Sequence, residues 1–136
     1  MKIPDYAVKK LVEVEGIGSA YAEKLQAVGI ERTDALLLSD YRRVAKATEI
    51  SAKLLKDWRS MIDLTRISGI GSEYSDALIK VGVSSCRVLA RRRPEKVEAK
   101  LKDLAEKTGT QVIRKLPGAT EVADWIKQAK TMEPLV

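Results

Sequence analysis

The chain has 136 residues, 45% of them hydrophobic, and 25 Lys and Arg against 19 Asp and Glu give a formal charge of +6. That length suits one domain or two very small units sharing a core. With no His and a single Cys, Cys86, an internal disulfide is excluded, and the commonest general base and metal ligand are missing.

In chain order, Ala7, Leu11 and Val14 share one face of a helix predicted over 5–14. Ser19 is placed to cap the next helix, which ends at Gly29, a typical residue after a helix C-terminus. Thr33 is expected to cap a short helix through 36–38, a further helix covers 41–47, and Ser51 caps a longer one through Trp58 and Ile62. The plan then repeats, with a helix over 62–67 that continues from the one before it without a linker and, from Ser72, a helix over 72–81. Ser85 opens a helix to about Ala90, and Pro94 suits the first turn of a helix ending near Gly109. Helices over 110–116 and 120–130 complete the set, the last with an apolar stripe of Val122, Ile126 and Ala129. No segment alternates as a strand does. No apolar run approaches the ~18 residues of a membrane span. The charged N-terminus lacks a signal-peptide apolar stretch, so a soluble, cytoplasmic protein with no membrane partner is expected.

Two stretches are nearly the same: EGIGSAYAEKLQAVGI from Glu15 and SGIGSEYSDALIKVGV from Ser68. At one offset, Gly16-Ile17-Gly18-Ser19 meets Gly69-Ile70-Gly71-Ser72, Tyr21 meets Tyr74, Leu25 meets Leu78, and Gly29 meets Gly82. So many matches in one register indicate duplication. Trp58 and Trp125 form a later, weaker echo, and their matching places favour packing in the core over binding. The two copies are assigned to 1–63 and 64–136, the second with longer C-terminal helices, and together they are expected to build one core. The first carries a net charge of +1 and the second +5.

An apolar helix, a Gly-Ile-Gly turn and a second apolar helix form a helix-hairpin-helix pattern. Gly16 and Gly69 permit positive φ in the tight turn, Ile17 and Ile70 fill the gap between helices, and Gly18 and Gly71 let another backbone or a phosphate come close. A helix N-terminus behind such a turn offers unpaired N–H groups and a partial positive charge to an anion. Contacts of that kind hold a nucleic-acid backbone without reading its sequence. The plainer alternative is that the glycines only close tight turns. Glu73 and Asp76 crowd the second turn, whereas the first has Glu15 before it and Lys24 in the following helix, so the first is the better phosphate site. Arg91, Arg92 and Arg93, with Arg87 nearby, form the densest basic segment, either a phosphate-contacting patch or a solvated loop. Arg42 and Arg43 are weaker candidates. The remaining carboxylates read as scattered on exposed faces, with no metal-ligand spacing and no catalytic constellation.

The segments EGIGSAYAEKL, ATEISAKLLKDW, DLTRISGIGSEYSDALIKVGVSSCRVLARR and WIKQAK together resemble a prokaryotic family catalogued as a domain of unknown function and built on tandem helix-hairpin-helix units. The resemblance covers roughly 12–130. It implies an all-α fold, two tandem helix-hairpin-helix units packed as pseudo-symmetric repeats in a compact helical bundle of the SAM/HhH-like kind. In the wider helix-hairpin-helix superfamily, which includes repair nucleases, glycosylases, ligases and polymerases, the hairpin grips DNA phosphates. By that analogy Gly16, Ile17, Gly18 and Ser19, with Gly69, Ile70, Gly71 and Ser72, would bind phosphate, and Lys24 joins the first set on its charge alone. The expectation is a non-catalytic protein without cofactor or metal that binds double-stranded DNA irrespective of sequence. The alternative is a protein-interaction or scaffold module with no nucleic-acid role.

Overall fold

Apolar residues at helical spacing run the length of the chain. The computed structural model, which describes residues 3–109 and 112–136, turns them into eight α-helices. They are α1 (Gly18–Gln26), α2 (Thr33–Leu37), α3 (Tyr41–Thr48), α4 (Ala52–Leu64), α5 (Ser72–Lys80), α6 (Cys86–Ala90), α7 (Pro94–Thr108) and α8 (Ala119–Ala129). Among the described residues there is no strand, only one isolated antiparallel bridge between Lys10 and Arg32. No helix there is long and apolar enough to cross a membrane.

Local chemistry explains where several helices begin and end. Ser51 accepts from the Leu54 amide at 3.4 Å and Ser85 from that of Val88 at 3.1 Å, so both serines cap as expected. Pro94 occupies the first turn of α7, where its missing N–H costs nothing. Helices α1 and α5 close in the same way: Ile30 N–H donates to Leu25 O at 2.9 Å and Val83 N–H to Leu78 O at 2.8 Å, each bond spanning a glycine.

Several expectations need correction. Residues 5–14 do not form an α-helix but two 3₁₀ turns, Asp5–Ala7 and Leu11–Glu13. The chain between them pairs with 31–33 instead: Leu11 N–H donates to Glu31 O, Thr33 N–H to Lys9 O, and the Thr33 hydroxyl to Ala7 O. Thr33 therefore ties two segments together and does not cap α2. The helix predicted over 62–67 does continue from the one before it, as part of α4, but α4 stops at Leu64. Finally, the part of the predicted 110–116 helix that is described, from Val112, is irregular; Thr110 and Gln111 lie outside the described residues.

The buried side chains fall into two clusters, one in each half. Leu11, Ile17, Leu25, Leu36, Leu55 and Trp58 centre the first. Leu64, Ile70, Leu78, Leu89, Val122 and Trp125 centre the second. Helix α4 serves both, since Ile62 faces the first cluster and Leu64 the second. Each cluster contains one Tyr–Trp contact: Tyr21 against Trp58 and Tyr74 against Trp125, both with ring centroids 5.1 Å apart. The tryptophans are thus core residues, as their matching places suggest.

The last residues strap the halves together. Met132 packs on the second cluster, and Leu135 and Val136 pack on the first. Between them the Glu133 carbonyl accepts from Arg66 Nη2 at 2.8 Å. Arg66 is itself buried and pairs with buried Asp63 at 2.7 Å. The second Asp63 oxygen accepts from the Cys86 amide at 2.8 Å, and the Tyr6 hydroxyl donates to the Arg66 carbonyl.

Candidate functional site

The first glycine turn stands open. Gly16, Gly18 and Ser19 are exposed, while Ile17 is buried and its amide donates to Val14 O at 3.2 Å. Gly16 has φ +94° and Gly18 φ +70°, left-handed values that glycine adopts without strain. Because Gly18 itself begins α1, Ser19 falls inside the first helical turn and is not its cap; Ile17 precedes the helix and no side chain caps it. The first turn of α1 also contains no acidic residue. The positive end of this helix is therefore neither capped nor neutralised by its own residues, the condition that suits an anion. Lys24 lies in the last turn of α1, ~9 Å along the axis from Gly18 at 1.5 Å per residue, so the structure does not bring it to the turn.

The second turn shares its backbone plan but not its setting. Gly69 has φ +100° and buried Ile70 donates to Ile67 O at 3.1 Å, as at the first turn, while Gly71 is extended with φ −100°. Ser72 is the first residue of α5, as expected. The second half holds this turn closely. Gln128 bonds both the N–H and the carbonyl of Ser68, at 2.9 and 3.0 Å, and the indole of Trp125 lies under Gly69. The acidic groups beside it have partners: Glu73 accepts from the Arg114 amide and lies 3.5 Å from its guanidinium, and Asp76 pairs with Lys80 at 3.0 Å.

Both turns meet at one groove of about 480 Å³, to which the first contributes Glu15 and Gly16 and the second Ser72, Glu73 and Asp76. Three carboxylates there face one cation, Arg114, so the groove between the turns repels phosphate. An anion would have to approach the first turn from its outer side. A second groove, about 370 Å³, runs between the N-terminal turns and Ser68–Ser72, lined by Tyr6, Val14, Met61 and Ile70 among others.

Arg87, Arg91, Arg92 and Arg93 are all exposed at the corner between α6 and α7, where Arg91 follows α6 and Arg93 precedes α7. None of them lines either groove. The structure thus keeps the arginine cluster apart from the space shared by the two turns. Among the described residues, no group of three or more His, Cys, Asp or Glu is placed to hold a metal ion.

Local reading missed Asp63 and Arg66. Their spacing fits an i,i+3 pair, and their position among Ile62, Leu64 and Ile67 is the one sequence signal of burial. Cys86 belongs to the same network, with Sγ 3.1 Å from the Asp63 carbonyl. Burial, and after it the neighbouring Asp63 carboxylate, push the Cys86 thiol up from 9.0 to about 12. It therefore stays a thiol well above neutral pH and is a poor nucleophile. Alkylation at pH 8.5 is expected to leave the folded protein unlabelled and to label it fully in denaturant. Equal labelling rates in the two conditions would show that this site opens readily.

Among known proteins, the family model described as "Domain of unknown function (DUF4332)" matches residues 15–132. Neither a curated protein nor a solved structure gives a significant match.

Proposed function

The chain belongs to the DUF4332 family, and since that description assigns no activity, we propose from this chain's own geometry that it is a non-catalytic binder of duplex DNA. It would hold the phosphate backbone irrespective of sequence, using two tandem helix-hairpin-helix units of pseudo-symmetric design. The observation that carries this reading is the exposed Gly16–Ser19 turn leading into the uncapped, acid-free N-terminus of α1. The paired design is supported by equivalences at one offset: positive φ at Gly16 and Gly69, buried Ile17 and Ile70, fully buried Leu25 and Leu78, and the two Tyr–Trp contacts. The copies then have different duties. The first keeps an anion site, and the second, enclosed by Gln128, Trp125 and Arg114, is chiefly structural.

The test is titration of a fluorescent duplex at low and then rising salt. Affinity is expected to fall with a log–log slope of about −0.9 per phosphate neutralised. Gly18 offers a clean variant, because an added Cβ meets no atom within 4 Å and Asn and Asp tolerate positive φ. Gly18→Asp is expected to weaken binding roughly tenfold through its charge beside the helix N-terminus, with Gly18→Asn close to wild type. Absence of binding at low salt would refute the proposal. The 370 Å³ groove with its Tyr6, Met61 and Ile70 lining favours the other reading, a surface that docks a protein helix. A salt-insensitive protein complex that leaves duplex unbound would establish that one.

A further inference from the structure

The net charge of the halves directs attention to the second, yet the first half carries a basic face assembled from two helices. From Asp40 to Arg59, both included, there are six basic and three acidic residues. Two of the acids are engaged locally: Asp40 accepts from the Arg42 amide at 3.1 Å, and Asp57 pairs with Lys53 at 3.5 Å. On α3, Arg42, Arg43 and Lys46 are exposed and, at spacings of three and four, share a side of the helix. Arg43, Lys46 and exposed Lys56 make no ion pair among the described residues.

Helix α4 joins this face. The Tyr41 ring has the Arg42 guanidinium 5.4 Å from its centroid and that of Arg59 at 5.5 Å. Arg59 is fixed in place, since its Nε and Nη2 both donate to Leu37 O, at 3.1 and 2.9 Å. An arginine held by ring and carbonyl loses less freedom when it meets an anion than a free surface lysine does. The same turn of α4 carries Trp58, whose ring packs on Tyr21 in the first turn of α1. One turn of α4 therefore separates the basic face from the start of the helix behind the Gly16–Ser19 turn. A helix with its side chains is ~10–12 Å across, so a single duplex can span both.

We infer that the α3–α4 face formed by Arg42, Arg43, Lys46, Lys56 and Arg59 is a second phosphate-contact surface, so that the first half grips one duplex at two places. This rests on the DNA-binding reading above and locates its electrostatic contacts away from the Arg91–Arg93 corner. The exposed groups of this face are mainly cationic, which fits a backbone of regular negative charge.

Two triple variants of the full chain separate the possibilities: Arg42→Ala with Arg43→Ala and Lys46→Ala, and Arg91→Ala with Arg92→Ala and Arg93→Ala. All six side chains are exposed, and thermal melts check that each variant folds. The α3 variant is expected to bind the duplex at least roughly tenfold more weakly at low salt. Its salt slope should be shallower by about 0.9 for each phosphate no longer neutralised. The Arg91–Arg93 variant is expected to keep more of both. If the wild type binds and the α3 variant matches it in affinity and slope, this inference is overturned while the DNA reading stands. If the wild type binds no duplex, the DNA reading falls and takes this surface with it. A polyglutamate peptide that competes as well as duplex for the α3 residues would make the partner an acidic protein and overturn the inference as well.

Discussion

Asp63→Ala is expected to destabilise the protein by about 3–5 kcal/mol, the usual cost of removing one partner from a buried ion pair. Arg66 is 1% exposed and its Nη1 sits 2.7 Å from Asp63 Oδ1. Without that carboxylate the buried guanidinium would lose the ion-pair partner at 2.7 Å, and the Cys86 amide would lose its acceptor as well. For a domain whose whole stability is on the order of 5–15 kcal/mol, this is a large fraction. The effect is expected to spread, because Arg66 also binds the Glu133 carbonyl and, through its own carbonyl, Tyr6. Asp63 thus lies behind the contacts that hold both chain ends against the junction of the two clusters. Urea unfolding of Asp63→Ala, Arg66→Ala and the double variant measures this. The double variant should cost clearly less than the sum of the singles, since it leaves no orphaned charge. Additive losses, or a single loss below ~1 kcal/mol, would show that the pair does not hold the junction.

How much of this was legible in the sequence follows from the reach of each interaction. Helices with an apolar face were legible, and so were the caps at Ser51 and Ser85, because a cap depends on residues two or three places away. Ser19 misled for an equally local reason: Gly18 itself enters the helix, so Ser19 falls inside it and does not precede it, whereas Ser72 opens α5 as expected. Residues 5–14 have helical spacing, but pairing with 31–33 satisfies their backbone instead, and sequence spacing is blind to that competitor. The site divides along the same line. The glycine turns were legible because positive φ and a buried isoleucine leave a short motif. Glu73 and Asp76 were read as obstacles to phosphate. Asp76 has its cation four residues on, but the partner of Glu73 is 41 residues away. Arg42 and Arg43 were legible only as weaker candidates, because net charge sums α3 and α4 with distant acids, whereas the Tyr41 ring joins Arg42 to Arg59 across two helices.

Trp125→Ala is expected to cost about 3–5 kcal/mol, in the range for deleting a buried aromatic ring. Trp125 is 2% exposed, belongs to the second cluster, and touches the Tyr74 ring. A more telling result comes from combining it with Gly69→Ala. Gly69 has φ +100°, and a Cβ placed there would lie 3.1 Å from the indole Nε1. With the indole present, Gly69→Ala meets both the backbone penalty of roughly 1–2 kcal/mol and a crowded ring packed against Tyr74. With Ala at position 125 only the backbone penalty remains. The two substitutions are therefore expected to couple by about 1 kcal/mol, in the sense that the second costs less once the first is made. At the equivalent turn, an added Cβ on Gly16 meets nothing within 4 Å. Gly16→Ala and Trp58→Ala should then add without coupling, although Trp58 makes the matching contact with Tyr21. Urea titrations of the two sets of variants decide the matter. Coupling at the second turn alone means that the duplicated turn has been built into the core in one copy and left free at the surface in the other. Equal coupling at both turns would remove that distinction.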